Sequence, residues 1–217
     1  MQGAGDSFPD ILSIRVPARV FTTTQRCGPG GATQGAIGPF PDYGYYSTSQ
    51  LLAAFGAGPA RMRTAVEGLS EHELRARPRR EGKWSIHEIV MHTTDSEILG
   101  TLRVRQMLAE PSSVLPSFNQ DLWARALNYQ EQSDAARERA LYLLTLLRQQ
   151  NLPLLEHATP EDWARSGTHP AFGVVTLRNM LELYADHIER HIEQILDSRA
   201  QLGRPLKMEA ILPRRLY

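Results

Sequence analysis

From about residue 47 onward, apolar side chains recur at the three- and four-residue spacing of amphipathic α-helices. This pattern predicts four main helices, which run approximately over residues 49–67, 85–111, 133–157 and 176–202. No stretch of this region alternates between apolar and polar residues in the way a half-buried strand would. The expected core positions on the second and third helices are Ile86, Ile89, Val90, Ile98 and Leu102, and Leu141, Leu143, Leu144, Leu147 and Leu155. The pattern therefore predicts an all-α protein, a four-helix bundle.

Local start and stop signals agree with this pattern. Segments 70–73 and 85–88 both have the Ser-x-x-Glu spacing of a capping box, the first for a single short turn and the second for a long helix. Thr159-Pro160 is typical of an N-cap followed by proline at the first helical position. Gly58-Pro59 lies inside the first helix, where proline removes a backbone hydrogen bond, so we expect a break or a kink there.

The connection between the second and third helices, residues 111–132, is long for a bundle, where most connections have only a few residues. One interpretation is that it crosses the end of the bundle, which would let the two helices run parallel. Another is that it forms one wall of a pocket. The two interpretations are compatible with each other.

The N-terminal region differs in composition from the helical part. The first fifty residues contain half of the chain's 16 glycines, and such a segment buries too little apolar surface to offset its ordering entropy. We therefore predict a disordered or loosely attached extension over residues 1–46, a bundle domain over 47–203 and a C-terminal tail over 204–217. The tail would either cover the bundle or pair two subunits.

Composition excludes several classes of function. Lys and Arg together number 24, as do Asp and Glu, so the formal net charge is zero, which argues against a nucleic-acid partner. The single cysteine, Cys27, excludes an internal disulfide and a cysteine-rich zinc fold. No apolar run has the length of a membrane span, and the N-terminus is a poor secretory signal. These features predict a soluble cytoplasmic protein without a membrane partner.

Three histidines carry the candidate chemistry. His187 and His191 are four residues apart, so on a helix they differ by only about 40° around the axis and point the same way. His92, on another helix, can complete a triangle with them, as facing helices of bundles do at metal sites. Three imidazoles without a fourth protein ligand are typical of a reactive metal centre rather than a structural one. The alternative for the His187/His191 pair alone is a pair of hydrogen-bonded core residues.

Further polar residues could support or border such a site. Ligating imidazoles usually donate their second N–H to an acceptor, and Glu88, Asp95 and Gln194 lie near the ligand faces of their helices. Glu88 has an alternative role as the third helical residue of a capping box. His169, in the segment ahead of the last helix, could lie at the mouth of the site or be an ordinary turn residue next to proline.

Other candidates are expected away from the site. His87 is turned about 140° from His92 and should face solvent, and Asp186 should lie at the rim or in solvent. His72 and His157 are expected at an exposed turn and near a helix C-terminus. Four aromatic residues could line an apolar pocket or be plain core: Trp123, Tyr129, Phe172 and Tyr184.

Several of these motifs occur together in one order. Residues 84–96, the loop 119–123, the segment 167–173 with its His-Pro-x-x-Gly sequence, and His187-x-x-x-His191-x-x-Gln194 together resemble the DinB/YfiT-like family of metalloenzymes. The resemblance covers roughly residues 48–202. The His-Pro-x-x-Gly segment is similar to the YfiT-like branch, which includes bacillithiol and mycothiol S-transferases. The resemblance implies a four-helix bundle, often a homodimer, that holds a divalent ion through His92, His187 and His191.

The donor set limits the chemistry. All-imidazole ligation suits zinc, nickel, copper or iron, and we expect zinc first and nickel next. An open-sided ion lowers the pKa of a bound water or thiol. The first functional hypothesis is S-transfer, in which a small thiol cosubstrate attacks a small electrophilic substrate. The alternatives are a hydrolase that uses metal-bound hydroxide and a non-catalytic metal-binding stress protein.

Overall fold

The computed structural model describes residues 43–79 and 82–212. Within this part, seven α-helices, one 3₁₀ turn at Tyr129–Glu131 and two short β-strands follow one another. The helices are α1 (Thr48–Val66), α2 (Glu71–Arg75), α3 (Ile86–Ala109), α4 (Gln120–Ala126), α5 (Asp134–Glu156), α6 (Pro160–Ala164) and α7 (Leu177–Gln201). The four long helices α1, α3, α5 and α7 form the predicted bundle, so the expected fold class is confirmed.

Hydroxyl side chains fix the beginnings of the long helices. Ser47, Ser85, Ser133 and Thr176 are the N-caps of α1, α3, α5 and α7, and each side chain accepts a hydrogen bond from a backbone N–H of the first turn. These N–H groups have no partner within the helix, so the caps stabilise each helix by roughly 1 kcal/mol. The bounds of all four helices lie close to those predicted from the sequence.

The bundle has an unusual order of helix directions. Helix α3 packs against α5 and α7, and α1 packs against the same two helices. Between α3 and α5, the hydrogen-bonded partners advance together along both chains: Thr94 meets Ala140, and Glu97 meets Arg148. The two helices therefore run parallel, as in the interpretation that the long 111–132 connection crosses the end of the bundle. Between α3 and α7, partners later on α3 meet residues earlier on α7, so these two helices are antiparallel.

A two-stranded ribbon lies between α6 and α7, where the sequence predicted no strand, and that prediction was wrong. Strands β1 (Ser166–His169) and β2 (Gly173–Thr176) pair antiparallel. The segment around Val114 adds a parallel bridge to Thr168. Each strand has only four residues, too few to show a period-two pattern in the sequence. The ribbon is held by partners distant in sequence, which local periodicity does not reveal.

Helix α1 continues through Gly58-Pro59, so the predicted break does not occur. Pro59 cannot donate to the carbonyl of Phe55, and Nη1 of Arg148 on α5 donates to that oxygen instead, at 2.7 Å. Gly58 makes room for this arginine, because a Cβ at Gly58 would lie 2.6 Å from Arg148 Nη1. A side chain from another helix thus satisfies the acceptor that proline leaves open.

Several predicted core positions are exposed. Ile98 and Leu102 on α3 are 43% and 45% exposed, Leu143 on α5 is 39% exposed, and Leu147 is half-buried. The inward positions in the middle of these helices are polar instead, with Glu97 and Arg148 both nearly fully buried. The remaining predicted core residues of α3 and α5 are buried. None of the described helices has the length and apolar character needed to cross a membrane.

Both ends of the described chain pack on α7. Tyr43 is 2% exposed and its hydroxyl donates to Asp186 at 2.5 Å, so residues 43–46, predicted as extension, belong to the packed domain. In the tail, Leu212 is buried and the N–H of Ile211 donates to Glu189 at 3.3 Å, so residues 204–212 cover the bundle. The rest of the predicted extension, with Cys27, and residues 213–217 lie outside the described residues.

Candidate metal centre

The structure brings His92, His187 and His191 together between α3 and α7. The Nε2 atom of His187 lies 3.3 Å from that of His92 and 3.1 Å from that of His191. The ring centroids are 5.3, 4.8 and 4.5 Å apart, and the three rings meet edge to face. One nitrogen of each ring lies within 4.8 Å of the other two. The three imidazoles share a common point.

These distances fit a metal ion held by three nitrogens. With metal–nitrogen bonds of about 2.0–2.1 Å, two ligands of a tetrahedral ion are about 3.3 Å apart. His92 and His191 are almost fully buried, and His187 is half-buried. Neutral imidazoles are the donors that zinc, nickel, copper and iron accept most readily in proteins. The donor set and its spacing thus fit a transition-metal ion with open coordination positions.

The three rings are uncharged at neutral pH. Burial lowers the pKa of His92 and His187 well below the usual value, and nearby imidazoles add to this effect. Burial also lowers the pKa of His191 to about 4, against small opposing contributions from Gln194 and Asp186. Because a metal ligand must be deprotonated, each ring offers a lone pair without first losing a proton.

Gln194 fixes the tautomer of one ligand. Nδ1 of His191 donates to Oε1 of Gln194 at 3.0 Å, which leaves the lone pair on Nε2 and aims it at the common point. Such second contacts orient metal ligands and raise their basicity. Nδ1 of His92 is buried and has no hydrogen-bond partner among the described residues. On its Nδ1 side, His92 is therefore held by packing rather than by a hydrogen bond.

The other two predicted supporting residues have different partners. Glu88 accepts from the backbone N–H of Ser85 at 2.8 Å and pairs with Arg77 at 2.6 Å, so its capping role prevails. Asp95 accepts from the hydroxyl of Tyr129, and burial raises the pKa of its carboxyl. In the described part of the chain, neither carboxylate is hydrogen-bonded to the three histidines.

His169 is the last residue of β1 and is 5% exposed. Its Nδ1 accepts from the backbone N–H of Ala171 at 3.1 Å, and its ring lies 4.8 Å from that of Phe172. Burial, with the positive charge of Arg103, lowers the pKa of His169 to about 4. Its expected place at the mouth of the site stays a prediction.

Aromatic rings flank His92. The ring of Trp84 lies 4.6 Å from it, and that of Phe118 lies 6.0 Å from it. Trp123 packs on Phe118 at 4.7 Å, and Tyr184 meets His187 edge-on at 6.4 Å. Phe118 belongs to the 111–132 connection, for which the wall of a pocket was one interpretation, whereas sequence reasoning did not assign Trp84 to the wall of the site. Trp84 directly precedes the N-cap of α3, a position from which a ring can fold back onto the helix.

Two residues expected to face solvent are buried. His87 is fully buried beside Arg137, whose Nη1 lies 3.4 Å from its Nδ1, because the first turns of α3 are covered on all sides. Asp186 is 7% exposed beneath Tyr43. His72 and His157 are exposed, as expected.

Comparisons with known proteins agree with the geometry. The family model described as the DinB superfamily matches residues 54–195. A relative from Geobacillus kaustophilus is 31% identical over 158 residues, which are 71% of this chain and 85% of the relative. Bacillus subtilis YfiT is 27% identical over 146 residues, 67% of this chain and 80% of that protein. Both relatives carry the name "putative metal-dependent hydrolase".

A solved structure has the same fold. YfiT from Bacillus subtilis matches with a TM-score of 0.69 and 24% identity, covering 77% of this chain and 95% of that chain. It is described as a probable metal-dependent hydrolase with an unusual four-helix bundle topology. At this identity the likeness shows the fold alone.

Proposed function

The chain belongs to the DinB superfamily, and from this premise we propose that it is a metal-dependent enzyme whose His92, His187 and His191 hold a divalent ion. The convergence of the three Nε2 atoms, at 3.1 and 3.3 Å, carries the proposal. The names of the relatives, which refer to metal dependence, support it. We propose zinc as the ion and nickel as the second choice, because both accept all-imidazole ligation.

For the reaction we propose S-transfer from a small thiol to an electrophilic substrate. A bound divalent ion lowers the pKa of a thiol and makes it a nucleophile at neutral pH. This chemistry needs no separate general base, and the two carboxylates nearest in sequence to His92, Glu88 and Asp95, are committed to Arg77 and Tyr129. The aromatic surroundings of His92 suit a soft sulfur ligand.

Hydrolysis is the second candidate, and the relatives' names favour it. The same three histidines would hold the ion, which would supply a water-derived nucleophile at neutral pH. The protein's own contribution would be similar in both reactions. Gln194 orients His191, while Trp84 and Phe118 fix the ring of His92 and cover one side of the site.

Elemental analysis and spectroscopy of cobalt-loaded protein test the proposal. We expect about one ion per chain in the wild type and a loss of metal in His187→Ala, while His72→Ala, an exposed histidine, retains it. A thiolate charge-transfer band on addition of a small thiol supports S-transfer. Thiol-independent ester hydrolysis that stops with a chelator supports the second candidate instead. Full metal occupancy in His187→Ala would overturn the proposed site.

If the metal-loaded protein neither binds thiols nor hydrolyses esters, the chain binds metal without turnover, and the enzymatic part of the proposal is wrong. We also propose a small molecule as the substrate and a homodimer as the assembly. Light scattering of the purified protein tests the second point, since a monomeric mass would contradict it.

A further inference from the structure

Arg103 on α3 is a buried cation whose described partners are all neutral. It is only 5% exposed. Its Nη1 donates to the hydroxyl of Tyr184 at 2.7 Å, and its Nε and Nη2 both donate to the carbonyl of Pro116, at 2.8 and 2.5 Å. Two other buried arginines have carboxylate partners: Arg148 pairs with Glu97 at 2.8 Å, and Arg137 with Glu71 at 2.6 Å. Arg199 is also buried, but it donates to carbonyls at the C-terminal end of α1, where the helix dipole supplies partial negative charge.

A buried charge without a counter-charge is costly, by several kcal/mol in protein interiors. The described residues place no carboxylate within 4 Å of the Arg103 guanidinium. Of its five N–H groups, the three hydrogen bonds use three, so two remain for another acceptor. The arrangement would be favourable if an anion completed it.

Tyr184 adds a second donor beside this arginine. Its oxygen accepts from Arg103, and none of the hydrogen bonds within the described residues uses its own O–H hydrogen. A tyrosine hydroxyl keeps its proton at neutral pH and can therefore donate it to an acceptor. Gly100 on α3 admits the ring, since a Cβ there would lie 2.5 Å from two of its carbon atoms.

His169 adds a third donor from the ribbon. Because its Nδ1 accepts from the N–H of Ala171, the neutral ring carries its hydrogen on Nε2. The side chain is buried and lies on the same ribbon face as Gly167, the face that meets Leu115. Leu115 donates to the carbonyl of Thr168 at 2.9 Å and directly precedes Pro116, the residue that Arg103 holds.

We propose that Arg103, Tyr184 and His169 form a subsite for a carboxylate group of the substrate that reacts at the metal centre. The inference deepens the proposed function and rests on it for the reaction, although carboxylate binding itself needs no metal. The three groups offer hydrogen-bond donors and one net positive charge, which a singly charged carboxylate matches. The planar guanidinium of Arg103 also suits the geometry of the two carboxylate oxygens. Tyr184 also lies one helical turn before His187, and their ring centroids are 6.4 Å apart. A carboxylate here would place the reacting atom of a small substrate, a few bonds away, near the three histidines.

The first test uses the full-length protein without metal and acetate as the probe, with neutral acetamide as the matched control. Binding is followed by NMR through the ring resonances of His169. We expect saturable shifts with acetate, none with acetamide, and acetate binding at least about 10-fold weaker in Arg103→Met, as for loss of a charged hydrogen bond. Arg139→Met removes the same charge from an exposed position on α5 and should bind acetate as the wild type does.

Tyr184→Phe keeps the ring and removes only the hydroxyl, so it tests the subsite even if Arg103→Met does not fold. We expect a weakening of acetate binding by about 5-fold, in the range of one neutral hydrogen bond. Equal acetate affinities in the wild type, Tyr184→Phe and His169→Gln would overturn the proposal. So would acetate shifts that leave His169 unchanged and appear elsewhere on the surface.

A second test uses cobalt-loaded protein and separates this inference from the proposed function. We expect 3-mercaptopropionate to bind at least about 10-fold more tightly than 2-mercaptoethanol in the wild type, and this difference to vanish in Arg103→Met. If the thiols give no cobalt band but acetate binding still depends on Arg103, the S-transfer proposal fails and the subsite stands. If both thiols bind equally and acetate does not bind, the subsite fails and the metal–thiol chemistry stands.

Discussion

The three imidazoles of the candidate metal centre are held in different ways. His191 is oriented by a hydrogen bond to Gln194, whereas His92 packs near the rings of Trp84 and Phe118. A hydrogen bond fixes the tautomer as well as the direction of the ring, while packing fixes the direction alone. Substitution of Gln194 should therefore act on metal affinity through His191 without disturbing the core, because Gln194 itself is exposed.

Gln194→Leu should weaken metal binding by about 10- to 100-fold, as loss of outer partners of metal ligands commonly does. Competition with a chromophoric chelator measures the change. The matched control is Gln149→Leu, an exposed glutamine on α5 away from the histidines, which should leave the affinity unchanged. An equal loss in both variants would show that the effect does not pass through His191.

His87 makes stability depend on pH. Burial, followed by the charges of Arg75 and Arg137, lowers its pKa below the usual value of 6.5. The unfolded chain therefore binds more protons below that pH, so this contribution to stability is complete above about pH 6.5 and decreases as the pH falls.

We expect urea midpoints of the metal-free protein to fall between about pH 6.5 and pH 5. This decrease in the urea midpoint should be smaller in His87→Gln. His72 is exposed, so His72→Gln should behave like the wild type. Identical pH profiles for His87→Gln and the wild type would contradict the assignment.

At the scale of elements, one unit of three residues joins the four long helices. Pro59 leaves the carbonyl of Phe55 without its helical donor, and Gly58 leaves space beside that carbonyl. The side chain of Arg148 on α5 occupies this space and donates the missing hydrogen bond. Arg148 also donates to Glu97 on α3 and to the carbonyl of Tyr184 on α7, at 2.8 Å each. The glycine and the proline in α1 thus do not break the helix. They accommodate the arginine of a buried ion pair.

Gly58→Ala should destabilise the protein by about 1–3 kcal/mol, although alanine is the better helix former by about 1 kcal/mol. The added Cβ would lie 2.6 Å from Arg148 Nη1 and 2.8 Å from a methyl group of Ile188. In the control Gly56→Ala, the new Cβ meets only the flexible end of Leu152, at 3.3 Å. We expect that variant to be neutral or slightly stabilised in chemical denaturation. A more stable Gly58→Ala protein would be incompatible with this packing.

At the scale of the whole molecule, both ends of the described chain converge on the helix that supplies two of the three histidines. Tyr43 donates to Asp186, and the tail reaches Glu189, which Arg61 of α1 also pairs with at 2.7 Å. These two carboxylates flank His187 along α7. The position of His187 and His191 therefore depends on contacts from both ends of the described chain.

Tyr43→Ala should destabilise the protein by about 3–5 kcal/mol, the usual cost of removing a large buried aromatic side chain. Tyr43 is 2% exposed, whereas Tyr45, the control, is 37% exposed. We expect Tyr45→Ala to cost less than about 1 kcal/mol in the same denaturation experiment. If both substitutions cost the same small amount, residues 43–46 do not belong to the packed domain.

Much of the fold could be predicted from the sequence because helical signals are local. The spacing of apolar residues and the caps at Ser85 and Thr176 involve partners within four positions, so they identify the helices and their bounds. The same local rule puts His187 and His191 on one face. His92 could be placed with them only as an expectation, because it lies on another helix, and the order of the motifs added the family.

Other features depend on contacts between distant residues, and the sequence pattern predicted them wrongly or not at all. The exposure of Ile98 and the burial of His87 follow from which neighbours cover each turn of α3. The β1–β2 ribbon and the uncompensated charge of Arg103 likewise depend on residues far apart in the chain. The sequence by itself therefore determined the helices, their caps and one face bearing two imidazoles, because these arise within single turns. Only the tertiary structure decided which nitrogens meet and which buried charges are paired, because those are properties of packed surfaces.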